Sequence, residues 1–145
     1  MKIRSKEEAK TAEVAAELLA QLVPGKRATV LALRGDLGAG KTTFTRELAK
    51  HLGVEEKVTS PTFVIMKVYQ LLAEQKFRHL VHIDCYRLES SSELDHLGFE
   101  ELVTDPENLV VIEWPERVQD ILPSNTKFID FEFIDEFSRD ISYDE

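Results

Sequence analysis

The residues equipped for chemistry fall first in one short run, Gly35-Asp36-Leu37-Gly38-Ala39-Gly40-Lys41-Thr42, which fits the pattern G-x-x-x-x-G-K-[ST]. Gly38, Ala39 and Gly40 carry almost no side chain, so successive backbone N–H groups can converge on phosphate oxygens. The positive end of a following helix adds to that attraction. Lys41 sets a point charge on the β- and γ-phosphates, the Thr42 hydroxyl can ligate Mg²⁺, and Thr43 is placed to touch the α-phosphate. The stretch Leu37 to Thr43 is therefore read as the nucleotide-binding segment. A Gly-rich strand-to-helix turn with an incidental Lys and Thr is the plainer alternative, but a buried-strand pattern before the loop and an amphipathic helix after it supply the context the motif requires.

A phosphate loop needs a carboxylate for its cation, usually at the end of an apolar strand. Two positions qualify: Asp84 after Leu80-Val81-His82-Ile83, and Glu113 after Leu109-Val110-Val111-Ile112. Acids at strand C-termini fall in the crevice where α/β sheets bind ligands. Guanine recognition lacks support, since no Asn-Lys-x-Asp string occurs. Asp95-His96-Leu97-Gly98 matches D-x-x-G but follows Ser90-Ser91-Ser92-Glu93-Leu94, which is no strand, so it reads as a decoy. Small-molecule kinases share the phosphate loop but usually add a substrate domain and an Arg-rich lid. Here Arg78, Arg87, Arg117 and Arg139 are scattered beyond the loop helix. ATP is the expected nucleotide.

Other residues have weaker claims. Cys85 reads as a small buried hydrophobe rather than a nucleophile. His82 alternates with Asp84 and can share its face, as a hydrogen-bonding partner rather than a base. Trp114 fits the nucleotide pocket or the core equally well. Tyr86 and Arg87 are candidates to meet a partner or the γ-phosphate. His51, His79 and His96 have no metal-ligand spacing.

The elements that must position these groups are legible in outline. Ser5 and Glu8 form a possible capping box for a first helix, in which Ala9, Ala12, Ala16, Leu19 and Val23 make one stripe and Pro24-Gly25 ends the run. Ala28–Leu33 has the continuous apolar character of a strand covered on both faces. The loop helix starts near Lys41, with Phe44, Leu48 and Leu52 on one side and Gly53 at its end. Further strands are expected at Thr62–Tyr69, Leu80–Ile83, Leu109–Ile112 and Phe128–Ile134, and short helices at Ser91–Leu97, Glu100–Val103 and Glu116–Leu122. Asp130 to Glu145 alternates acids with apolar residues and reads as edge strands. The expected fold is α/β: a three-layer P-loop NTPase-like sandwich with a mostly parallel central sheet and antiparallel edge strands. Residues 1–145 are read as a single P-loop ATPase domain.

Composition narrows the function further. With 27 acidic and 18 Lys or Arg residues the formal charge is −9, which argues against a stand-alone binder of DNA or RNA backbone. No apolar run approaches the ~20 residues of a membrane span, and the first residues carry charge but no apolar signal core. One cysteine excludes an internal disulfide and a Cys-cluster metal site. A cytoplasmic chain with no membrane partner is the expectation.

Taken with its neighbours, the run Leu33 to Arg46 resembles the TsaE (YjeE-like) ATPases of bacterial tRNA threonylcarbamoyladenosine synthesis. Three further strings agree in order: Ser60-Pro61-Thr62-Phe63, His82-Ile83-Asp84-Cys85-Tyr86-Arg87-Leu88 and Glu113-Trp114-Pro115. The resemblance implies a small ATP-binding, slowly hydrolysing subunit that uses ATP and Mg²⁺ and works with TsaB and TsaD, meeting tRNA only indirectly. It implies that Thr42 and Glu113 hold Mg²⁺, that Asp84 orients or deprotonates the attacking water, and that Lys41 stabilises phosphate charge. It further implies a switch-like loop at Ser60-Pro61-Thr62 and an adenine-side position for Arg139. A small-molecule kinase and an ATP-bound, non-catalytic scaffold subunit are the rival readings.

Overall fold

The computed structural model describes residues 2–5, 8–36, 39–56, 58, 65–135 and 138–143. Seven strands are ordered β1-β7-β6-β2-β5-β4-β3 in one sheet. They are β1 (Lys2–Ser5), β2 (Thr29–Arg34), β3 (Met66–Gln70), β4 (His79–Asp84), β5 (Asn108–Glu113), β6 (Lys127–Asp135) and β7 (Ser138–Tyr143). The helices are α1 (Glu8–Gln21), α2 (Lys41–His51), α3 (Ser91–Asp95) and α4 (Phe99–Thr104), with a 3₁₀ helix at Pro115–Ile121. Among the described residues no helix is long and apolar enough to cross a membrane.

The centre of the sheet is parallel, with β6, β2, β5 and β4 side by side. Their residues alternate between two apolar layers, as pleating demands. Leu31, Leu33, Leu109, Val111 and Leu80 pack with α1 and α2, whereas Val30, Val110, Ile112, Val81 and Ile83 pack with Leu94, Phe99, Val103 and Val118 on the other face. Because both faces are covered, β2 and β5 need no polar alternation, which is why they read as unbroken apolar runs. The expected three-layer sandwich is therefore present.

Three details depart from expectation. The buried stripe of α1 is Thr11, Val14, Ala15 and Leu18, continued by Leu22 just past its end, while Val23 is 81% exposed and Ala9 lies at the surface. Both stripes have helical spacing, but the observed one places the larger Val and Leu side chains inside, where they remove more apolar area from water. Ser5 ends a strand, β1, that the sequence pattern does not announce, and its hydroxyl is hydrogen-bonded to that of Thr11 at 2.7 Å; residues 6 and 7, between it and α1, lie outside the described residues. β6 and β7 are not edges: β6 pairs with β2, and β7 is covered by β1. Asp140 ties that added strand down, accepting from Arg4 at 2.8 and 3.3 Å with Lys2 at 3.4 Å. The edges that remain, β1 and β3, are both joined antiparallel, as the fold class requires. The strand expected over Thr62–Tyr69 begins at Met66; residues 62–64 lie outside the described residues.

Candidate functional site

The loop between β2 and α2 sits where the sheet's parallel strands end. Leu37 and Gly38 lie outside the described residues, as do Ser60, Pro61, Thr62 and Phe63; the positions on either side of the loop are defined. Gly35 has φ +148°, and a Cβ there would stand 2.5 Å from the Phe131 carbonyl oxygen and 3.1 Å from the Phe131 Cβ. The first glycine of the motif is thus fixed by β6 beneath it. Phe131 also meets the Phe44 ring edge-on, with centroids 5.4 Å apart, locking strand, loop and helix together. Gly35→Ala must therefore both strain the backbone and move β6. A stability loss of about 2 kcal/mol or more is expected, read as a lower urea midpoint at unchanged slope.

Gly40 precedes α2 in the left-handed region, φ +101°, and leaves the first N–H groups of the helix without side-chain caps. Such an end is an anion site by construction. Arg139 packs its aliphatic stem over Gly40, its Cγ 3.6 Å from where a Cβ would be. Its guanidinium stacks on Phe133 at 4.7 Å and donates to the carbonyls of Asp135 and Ser138.

Lys41 is buried at the start of α2. Its ammonium donates to the Gly35 carbonyl and lies 3.7 Å from the centroid of the Trp114 ring. Burial pushes the Lys41 ammonium below the ordinary lysine value, against opposing pulls from Glu113, Glu116, Asp84 and Asp36. Trp114 is the only described non-glycine residue with positive φ, +59°, a conformation that swings its ring back over the loop lysine. Tyr86 closes the stack, with its ring centroid 5.0 Å from that of Trp114. Sequence spacing left Trp114 undecided between pocket and core; the structure makes it half-buried and in contact with Lys41.

The two strand-end acids stand side by side, since β4 and β5 pair Asp84 with Glu113. Glu113 is buried and Asp84 half-exposed. The Thr42 hydroxyl donates to Glu113 Oε1 at 3.4 Å, and His82 Nε2 meets Glu113 Oε2 at 2.5 Å. Asp84 Oδ1 accepts the Tyr86 backbone N–H at 3.0 Å, which closes a local turn and orients the carboxylate. A hard oxygen pair such as Thr42 and Glu113 suits Mg²⁺, which completes its shell with phosphates and water. Among the described residues no group of three His, Cys, Asp or Glu side chains forms a metal cage.

The expected bystanders are bystanders in space. Cys85 is fully buried, and burial, with lesser help from Asp84, Glu116 and Glu113, pushes its thiol up to about 12, so it carries no thiolate at neutral pH. Asp95 ends α3 and Gly98 caps α4, so the D-x-x-G string joins two helices rather than following a strand.

The chain is similar to known proteins in sequence and in fold. The family described as "Threonylcarbamoyl adenosine biosynthesis protein TsaE" matches residues 5–141. The chain is 40% identical over 125 residues to a Rickettsia felis protein named tRNA threonylcarbamoyladenosine biosynthesis protein TsaE, covering 86% of this chain and 68% of that protein. It is 39% identical over 114 residues to the Treponema pallidum protein of the same name, covering 79% and 80%. Among solved structures, that of Bacillus subtilis YdiB superposes with a TM-score of 0.77 at 29% identity, covering 99% of this chain and 83% of that one.

Proposed function

The chain belongs to the TsaE family of tRNA threonylcarbamoyladenosine biosynthesis, and on that premise we propose that it is the ATP-binding, slowly hydrolysing subunit of the assembly that modifies adenosine 37 of tRNA. TsaB and TsaD are its proposed partners, tRNA is met through them, and the cytoplasm is where it works. One observation carries the reading: Lys41, Thr42, Glu113 and Asp84 converge at the start of α2, where three strand ends and a helix N-terminus meet.

In this reading the amides of the loop and of the first turn of α2, over Leu37 to Thr43, take the phosphate oxygens. The Lys41 ammonium exchanges the Trp114 ring and the Gly35 carbonyl for the β- and γ-phosphates. Thr42 and Glu113 would hold Mg²⁺, which when bound would neutralise charge on those phosphates. Asp84 accepts a proton from the attacking water as its oxygen bonds to the γ-phosphorus. The bond from that phosphorus to the bridging oxygen breaks, and ADP leaves with Lys41 stabilising the new charge. Arg139, the arginine packed against Gly40, has its guanidinium on Phe133 and on the carbonyls of Asp135 and Ser138. An arginine finger is worth ~10³–10⁵ in rate, so slow turnover by the isolated chain, faster with partners, is expected.

Pull-down from cytosol with and without ATP tests the assignment. Recovery of the TsaB–TsaD pair is the expected result; its absence under both conditions removes the proposed role. Radiolabel from γ-labelled ATP should appear as free phosphate, and its transfer to an added small acceptor would favour the kinase reading instead.

A further inference from the structure

His82 is fully buried, two residues before Asp84, and has no part in the steps above. Its Nε2–H donates to Glu113 Oε2 at 2.5 Å, which leaves Oε1 toward the Thr42 hydroxyl. Sheet register creates the contact. His82 stands opposite Val111 and Asp84 opposite Glu113, so the imidazole reaches Glu113 diagonally across β4 and β5. It does so on the face that Leu80, Leu109 and Val111 present to α2. With no exposed surface, His82 cannot touch a nucleotide or its cation.

The other ring nitrogen, Nδ1, is buried and has no hydrogen-bond partner among the described residues. A buried imidazole with one bare nitrogen is a costly way to fill a core that an aliphatic side chain would fill without loss. What an aliphatic residue lacks is the single N–H that reaches Glu113. A carboxylate turns easily about its last torsion and can offer either oxygen, or both. Tethering Oε2 removes that freedom and leaves one oxygen at a fixed place relative to Thr42.

The geometry points to His82 as a positioning residue: by holding Glu113 Oε2, it presents Glu113 Oε1 and the Thr42 hydroxyl as a preset pair for the cation that accompanies the nucleotide. The inference rests on the reading of Glu113 as a metal ligand. Outer hydrogen bonds of this kind are typically worth 10–100-fold in metal affinity.

The test uses the full-length protein and Mn²⁺ as a spectroscopic stand-in, with free Mn²⁺ measured by electron paramagnetic resonance in the presence of ATP. His82→Leu, which keeps the volume and removes the donor, should weaken Mn²⁺ binding in the ATP complex about 10–100-fold. ATP affinity in EDTA should stay within about twofold of wild type. His82→Gln, whose amide N–H2 reaches about as far as Nε2, should recover most of the Mn²⁺ affinity. Wild-type Mn²⁺ affinity in His82→Leu would overturn the proposal, as would equal losses in the Leu and Gln variants or a parallel loss of ATP affinity in EDTA. If His82→Leu does not fold, the Gln variant alone decides, since a structural role predicts a loss that tracks its melting temperature. Glu113→Gln, run alongside, separates the two readings. If it binds Mn²⁺ with ATP normally, the metal assignment itself fails; if it is impaired while His82→Leu is not, only the role of His82 fails.

Discussion

Lys41→Met should abolish nucleotide binding while the unliganded protein melts no lower than wild type. The two halves have different causes. Nucleotide at about 100 times its Kd stabilises a protein by about 2.7 kcal/mol, which for a domain of this size is roughly 5–10 °C in Tm. Without the ammonium that spans the phosphates, that shift should disappear. In the unliganded protein the ammonium is buried, and burial outweighs the pull of Glu113 and the other acids, because Lys41 sits below its ordinary value. The folded state then binds fewer protons than the unfolded chain between that lowered value and 10.5. Lys41 thus weighs against folding at neutral pH, and the cost lifts as pH rises through that window. Methionine keeps the stem and the contact with Trp114 and removes the cost. Thermal melts with and without ATP and Mg²⁺ check both halves. A fall in the unliganded Tm would mean that Lys41 supports the fold as well as the ligand.

The second large effect belongs to Asp84. Asp84→Asn keeps the hydrogen bond from the Tyr86 N–H, hence the local turn, but removes the base. Hydrolysis in the presence of partners should fall ~10²–10⁴-fold, the usual worth of a positioned base, with ATP affinity within about twofold. Single-turnover measurement with labelled ATP separates this from a binding defect. Turnover that survives the substitution would assign water activation to another group. If tRNA modification survives while hydrolysis is lost, ATP serves as a ligand rather than as a fuel, which is the scaffold alternative.

The phosphate loop was legible because its chemistry is local: each group's type and spacing is dictated by one ligand and one strand-to-helix turn. Asp84 and Glu113 were legible for a related reason, since an acid closing an unbroken apolar strand stands out against its neighbours. What could not be read depends on pairings far apart in the chain. Nothing in Lys2-Ile3-Arg4-Ser5 announces a strand; it exists because Asp140, 136 positions from Arg4, accepts its guanidinium. The rotation of α1 is ambiguous in sequence because alanines fit either face of a helix, so a stripe of Ala9, Ala12 and Ala16 competes with Val14, Leu18 and Leu22. Trp114 over Lys41 and His82 on Glu113 needed the register of β4 and β5, which periodicity alone does not supply.

The same remoteness bears on how the chain becomes competent during synthesis. The floor of the phosphate loop is Phe131, and the Arg34–Asp130 ion pair that closes the β2–β6 seam joins residues 96 positions apart. The loop sequence leaves the ribosome long before its floor does. Until β6 arrives and slides in beside β2, the strand that carries the loop has an open flank and the first glycine has nothing to pack on. Such distant pairings form slowly and leave sticky strand edges waiting. A nascent chain of this protein therefore holds the whole phosphate-binding signature without the ability to use it, and nucleotide can reward only the finished fold.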